Sequence, residues 1–73
     1  MENELLKTIG SRFKIQRLTN KVSVNQMAKD CAIGRRTLQN FEAGRNAIGL
    51  LKLFDMADYL GLSVDFTETK KPQ

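Results

Sequence analysis

The chain has 73 residues, 12 Lys/Arg against 8 Asp/Glu for a formal net charge of +4, and 41% hydrophobic residues. That length allows one small domain, near the lower size limit for folding alone. One cysteine and no histidine exclude an internal disulfide and the commonest catalytic base, and no run approaches the ~20 apolar residues of a membrane span.

Leu5, Leu6, Ile9, Phe13 and Leu18 recur at helical steps and predict a helix over residues 3–19, stopped at Asn20-Lys21. Ser23 is the next start signal. Gln26 completes an S-x-x-Q capping box, and Val22 with Met27 has the placement of a hydrophobic staple. Val24, Met27, Ala28 and Cys31 then share one face of a short helix over 23–31. Ile33 is expected to turn inward, and Cys31 to serve as buried packing. Gly34 is an acceptable N-cap without a side-chain oxygen. The following helix, 35–43, buries Leu38 and Phe41. Its rotation of 100° per residue puts Arg36, Gln39, Asn40 and Ala43 on the outer face, with Arg35 at the tip. Gly44 ends it as a left-handed cap. Leu50, Leu53, Phe54, Ala57 and Leu60-Gly61 predict a fourth helix, with Met56 partly buried and Lys52, Asp55 and Asp58 outward. Leu62, Val64 and Phe66 then alternate with polar residues, a strand pattern over 62–69, and 70–73 reads as a frayed end.

Charge is unevenly placed. Residues 1–46 carry nine Lys/Arg against four Asp/Glu, and residues 47–73 carry three against four. A basic N-terminal part points to a polyanionic partner, with Lys14, Lys21 and Lys29 as further candidates for phosphate. The N-terminus is acidic first and has no long apolar core, so a signal peptide is not expected and a cytoplasmic protein is the default. There is no paired-cysteine motif, no Gly-rich phosphate loop and no base partner for Cys31, so neither enzyme, metal nor cofactor is expected. Phe13, Phe41 and Phe54 have burial spacing, which makes them core and not a stacking platform.

A helix over 23–31, a three-residue turn and a helix over 35–43 have helix-turn-helix spacing. The second helix of such a unit offers its outward residues to the major groove. Arg, Gln and Asn suit that task, because Arg pairs bidentately with guanine and Gln or Asn with adenine. Ile9-Gly10-x-Arg12, Arg17, Ala28, Ile33, Thr37, Glu42-x-Gly44 and Leu60-Gly61 carry a wider likeness. With them the chain resembles, over residues 9–66, the Cro/C1-type (XRE) helix-turn-helix domain of phage repressors and bacterial regulators.

The resemblance implies an all-α, lambda repressor-like bundle of four to five helices, here with a short C-terminal strand. The DNA-binding domain would be 1–61, its helix-turn-helix core 23–44, its dimerisation strand 62–69 and its flexible tail 70–73. Arg35, Arg36, Gln39 and Asn40 inherit base reading. Ser23, Thr37, Arg45 and Asn46 inherit phosphate contacts. Arg17 and Glu42 match a structural ion pair between the first and third helices. Three departures stand out. Val24 replaces a frequent phosphate-binding Gln, Gly34 replaces a frequent Ser or Thr cap, and Ile48 stands at a frequent Pro position.

The implied function is sequence-specific binding of double-stranded DNA by a homodimeric repressor on a palindromic or pseudopalindromic operator. A lone strand needs a mate, and pairing across a dimer would bury Leu62, Val64 and Phe66. That ending resembles HipB-like antitoxins, which adds a kinase-like toxin as an alternative partner. A second alternative is a protein-interaction module that has lost DNA reading, and a third is a redox switch built on Cys31.

Overall fold

Four helices form where apolar spacing and caps predict them. In the computed structural model, which describes residues 4–64, they are α1 (Glu4–Thr19), α2 (Val24–Asp30), α3 (Arg35–Glu42) and α4 (Leu50–Leu60). α1 packs against α3 and α4, and α2 packs against α3. Phe13, Met27, Ala28, Cys31, Leu38, Phe41, Met56, Ala57 and Leu60 form the core between them. Phe13 of α1 meets Phe41 of α3 edge to face, with ring centroids 5.2 Å apart.

The buried stripe of α1 differs from the apolar one. It is Gly10, Phe13 and Arg17, with Ile9 half-buried, while Leu5 and Leu18 stay 68% and 56% exposed. Gly10 is there because two backbones nearly touch. A Cβ on it would lie 3.0 Å from the carbonyl oxygen of Glu42 and closer still to that of Phe41. One side chain seven residues further on, Arg17, uses this closeness. Its Nε and Nη2 donate to the two carboxylate oxygens of Glu42 at 2.8 and 3.0 Å, and its Nη1 donates to the Val22 carbonyl at 2.9 Å. Both partners are buried, so the charges are compensated where water has little access.

All four helices end the same way. Lys21, Ala32, Gly44 and Gly61 take left-handed φ angles of 60°, 54°, 77° and 77°. The next N–H in each case reaches back five residues, to the carbonyls of Arg17, Ala28, Asn40 and Ala57 at 2.8–3.0 Å. These are Schellman motifs, and they stop each helix within one residue. Val22, Ile33 and Leu62, which donate three of these bonds, pack against the core.

Several expectations on α2 and α4 change in detail. Ser23 caps α2 through Oγ, which accepts from the Gln26 N–H at 3.0 Å, but the Gln26 side chain donates to Asp30 at 2.9 Å instead of returning to Ser23. Half of the capping box therefore forms. Met56 is fully buried, whereas Leu50 is 60% exposed and Phe54 half-buried. Lys52 is not simply outward. Its Nζ donates to the carbonyl of Cys31 and so neutralises the negative end of α2. No strand forms among the described residues. Leu62 and Val64 are half-buried on the core of their own chain, and the rest of the expected strand, Phe66 included, lies outside the described residues.

Candidate nucleic-acid interface

Two short helices and a four-residue connection build the surface. Cys31 to Gly34 join α2 to α3, with Cys31 buried and Ile33 half-buried in the core, so the turn is pinned from below. Burial raises the Cys31 thiol above its ordinary value, which keeps it a neutral packing group. Gly34 caps α3 in an extended conformation and brings no side-chain hydrogen bond, so the first N–H groups of α3 stay open.

Leu38 and Phe41, at 0% and 1% exposure, fix which side of α3 faces the core. Arg35, Arg36, Thr37 and Gln39 are consequently exposed, and Asn40 is half-buried at the edge. Two arginines in the first turn oppose the helix macrodipole, at a cost of about 0.3–1 kcal/mol each at low salt. They are placed against stability, which favours a role in meeting negative charge. No acidic residue in that turn offsets them. Arg36 and Gln39 have no side-chain partner among the described residues, whereas Arg35 donates to Asn25 Oδ1 of α2 at 3.3 Å. The tip arginine is thus steered toward the α2 side.

Beyond Gly44 the chain turns back on α3. The Arg45 N–H donates to the Asn40 backbone carbonyl at 2.9 Å, and its Nη1 donates to Asn40 Oδ1 at 3.2 Å. Asn46 is exposed next to it. Ser23 is exposed at the start of α2. A cleft of about 460 Å³ opens between α1 and α3. Arg17 and Glu42 are its buried floor, Arg36, Gln39, Asn40 and Arg45 line one side, and Val24 and Lys14 complete it. Ile48 is half-buried against the core, so the loop there is held by packing without a proline.

Sequence reasoning identified the outward face of α3 and the Arg17–Glu42 pair. It missed the link from Arg45 to Asn40, and it named Lys14 as a phosphate candidate beside Lys21 and Lys29 without setting it apart as the one that lines this cleft. The signal for Arg45 was its position just after the left-handed glycine, where helix ends ordinarily carry an apolar residue. On the opposite side, Tyr59 Oη donates to Asp30 at 2.6 Å and ties α4 to α2. That bond holds the Asp30 carboxyl below its usual range, with Gln26 helping, and pushes the Tyr59 phenol up to about 12.

A family model described as helix-turn-helix matches residues 13–66, three quarters of the chain. No curated protein matches. Among the described residues no helix is long and apolar enough to cross a membrane.

Proposed function

The chain belongs to the Cro/C1-type (XRE) helix-turn-helix family of DNA-binding regulators, and from that membership we propose that it is a homodimeric repressor that reads the major groove with α3. The outward face of α3 carries the proposal. Arg36 and Gln39 are exposed and, among the described residues, have no side-chain partner above a buried Leu38 and Phe41, at the pitch that suits base edges. Arg36 and Gln39 read bases, with Asn40 at the edge of the same face. Arg45, Asn46, Thr37 and Ser23 hold the sugar–phosphate backbone. Arg35, steered toward α2, serves the boundary between these two tasks.

The length of α3 supports the dimer. Eight residues at 1.5 Å each span about 12 Å, or some four base pairs of duplex. Four base pairs recur by chance roughly every 250, too often for one domain to choose an operator. Two copies on half-sites one helical turn apart supply the missing selectivity. The antitoxin version of this function adds a toxin as a second partner, and co-purification with the product of the neighbouring reading frame tests it.

Arg36→Ala tests the reading helix. It should cost about 1–3 kcal/mol on a duplex selected from a random pool and relax the preference at one position. Equal weakening on selected and scrambled duplexes would make Arg36 a backbone contact and remove the argument for reading by this face. Sedimentation of the full chain should give a dimer, and a monomer bound to each half-site independently would overturn that part.

A further inference from the structure

The cleft between α1 and α3 gathers two cations, Lys14 and Arg45, that do not belong to α3. Among the described residues its one carboxylate belongs to Glu42, and the bidentate bond from Arg17 already neutralises it. Three other cations line it, Lys14, Arg36 and Arg45, and among the described residues none of them is in an ion pair. Among the described residues the Arg45 guanidinium is bonded to the neutral amide of Asn40 alone. Lys14 is exposed and carries no hydrogen bond or ion pair among the described residues. Like charges gathered around a neutralised floor repel one another, so this arrangement is unfavourable until an anion enters. A lysine ammonium on a flexible stem meets such an anion as a point charge and demands no fixed geometry.

We infer that this cleft seats a phosphodiester of the DNA backbone, with Lys14 closing it from α1 opposite Arg45. Resting on the DNA-binding function proposed above, the inference extends the protein's footprint from the helix-turn-helix onto α1. Lys14 binds the strand without reading it. The phosphate is held on both sides, and that fixes how far Arg36 and Gln39 reach into the groove beside it.

The test measures binding of wild type, Lys14→Gln, Lys14→Arg and Lys29→Gln to two duplexes of about 20 base pairs, one selected from a random pool and one scrambled, from 50 to 200 mM salt. Lys29, a phosphate candidate by charge alone, is exposed on α2 and lies outside the cleft, which makes it the charge control. Lys14→Gln should weaken both duplexes by the same factor and lower the salt slope by about 0.9. Its disadvantage against wild type should therefore shrink about 3.5-fold across that salt range. Lys14→Arg should restore the slope, and Lys29→Gln should leave it unchanged. A wild-type slope in Lys14→Gln overturns the inference and leaves reading by α3 standing. So does a loss confined to the selected duplex, or an equal drop in Lys29→Gln. Failure of the wild type to bind either duplex overturns the DNA-binding proposal itself.

Discussion

Gly10→Ala adds one methyl group where α1 crosses the end of α3, and the structure sets its cost. The new Cβ meets two backbone carbonyls, those of Phe41 and Glu42, the second at 3.0 Å. Neither can rotate away, because both belong to the last turn of α3. A comfortable C···O contact needs about 3.3–3.6 Å, so the helices must part by roughly 1 Å. Overpacking of this kind costs about 1–3 kcal/mol. The same movement stretches the Arg17–Glu42 bonds from 2.8 and 3.0 Å to the edge of hydrogen-bond reach. Full loss of a buried pair costs about 3–5 kcal/mol, and partial loss a fraction of that. Alanine returns about 1 kcal/mol through its better helix propensity. The net destabilisation is about 2–5 kcal/mol, a large share of what a domain of this size holds. Thermal unfolding followed by circular dichroism should show a drop of at least about 10 °C. Gly49→Ala, where a Cβ meets nothing within 4 Å, is the control and should change the midpoint by only a few degrees. A Gly10→Ala protein that melts at or above wild type, as helix propensity alone requires, would refute the close-approach argument.

Ala32 holds a left-handed φ of 54°, which costs a residue with a Cβ about 1–2 kcal/mol. Ala32→Gly should raise stability by about 0.5–1 kcal/mol after the extra freedom of unfolded glycine is subtracted, and an unchanged or lower melting point counts against that strain. Tyr59 is the sole tyrosine and there is no tryptophan, so its phenolate absorbance is unambiguous. It should titrate at about 12 in wild type and near the ordinary 10 in Asp30→Asn. Because the folded Tyr59 value is raised and the Asp30 value lowered, the Tyr59–Asp30 bond supports the fold fully between about pH 4 and pH 10, fades in acid as Asp30 protonates, and loses its effect as pH rises through about 12. A wild-type titration at 10 removes the bond from solution. Arg45→Ala should weaken all duplexes and also relax the preference at the base next to Asn40, whose amide it orients. Uniform weakening with unchanged preference would leave Arg45 as a backbone contact alone.

The face of α3 was legible because two large apolar residues, Leu38 and Phe41, settle the orientation of an eight-residue helix. α1 was harder for a physical reason. Its inward stripe holds a glycine and an arginine, and apolar periodicity counts neither. Leu5 and Leu18 fit the helical period yet lie outside the packed face. Half of the capping box is missing because Asp30, four residues on, is a charged acceptor for the Gln26 amide NH2 and holds that side chain along α2, away from the Ser23 N–H. Leu62 and Val64 show the limit of a two-residue alternation. Leu62 follows a left-handed glycine and tucks back onto the core, and in sequence that looks the same as the first residues of a strand. The Arg17–Glu42 pair needed the resemblance to a known family, since nothing in local spacing joins residues 25 apart.

The four helix ends pose one backbone problem and answer it with one hydrogen-bond pattern, so their differences isolate what each place needs. Val22, Ile33 and Leu62 donate the long-reach bond at three ends, and each lays an apolar side chain on the core. At the end of α3 the same position is Arg45, which is exposed. Its backbone makes the same bond with the same geometry, so the stop does not require an arginine. What differs is the ground it faces, a cation-lined cleft instead of core. The apolar contact is given up there, and a second bond to Asn40 takes its place. Arg45 is joined to Asn40 through both backbone and side chain, which ties the loop cation to the edge of α3. Under the proposed function, the charge offered to a phosphate and the amide offered to a base would then share a single position, set before DNA arrives.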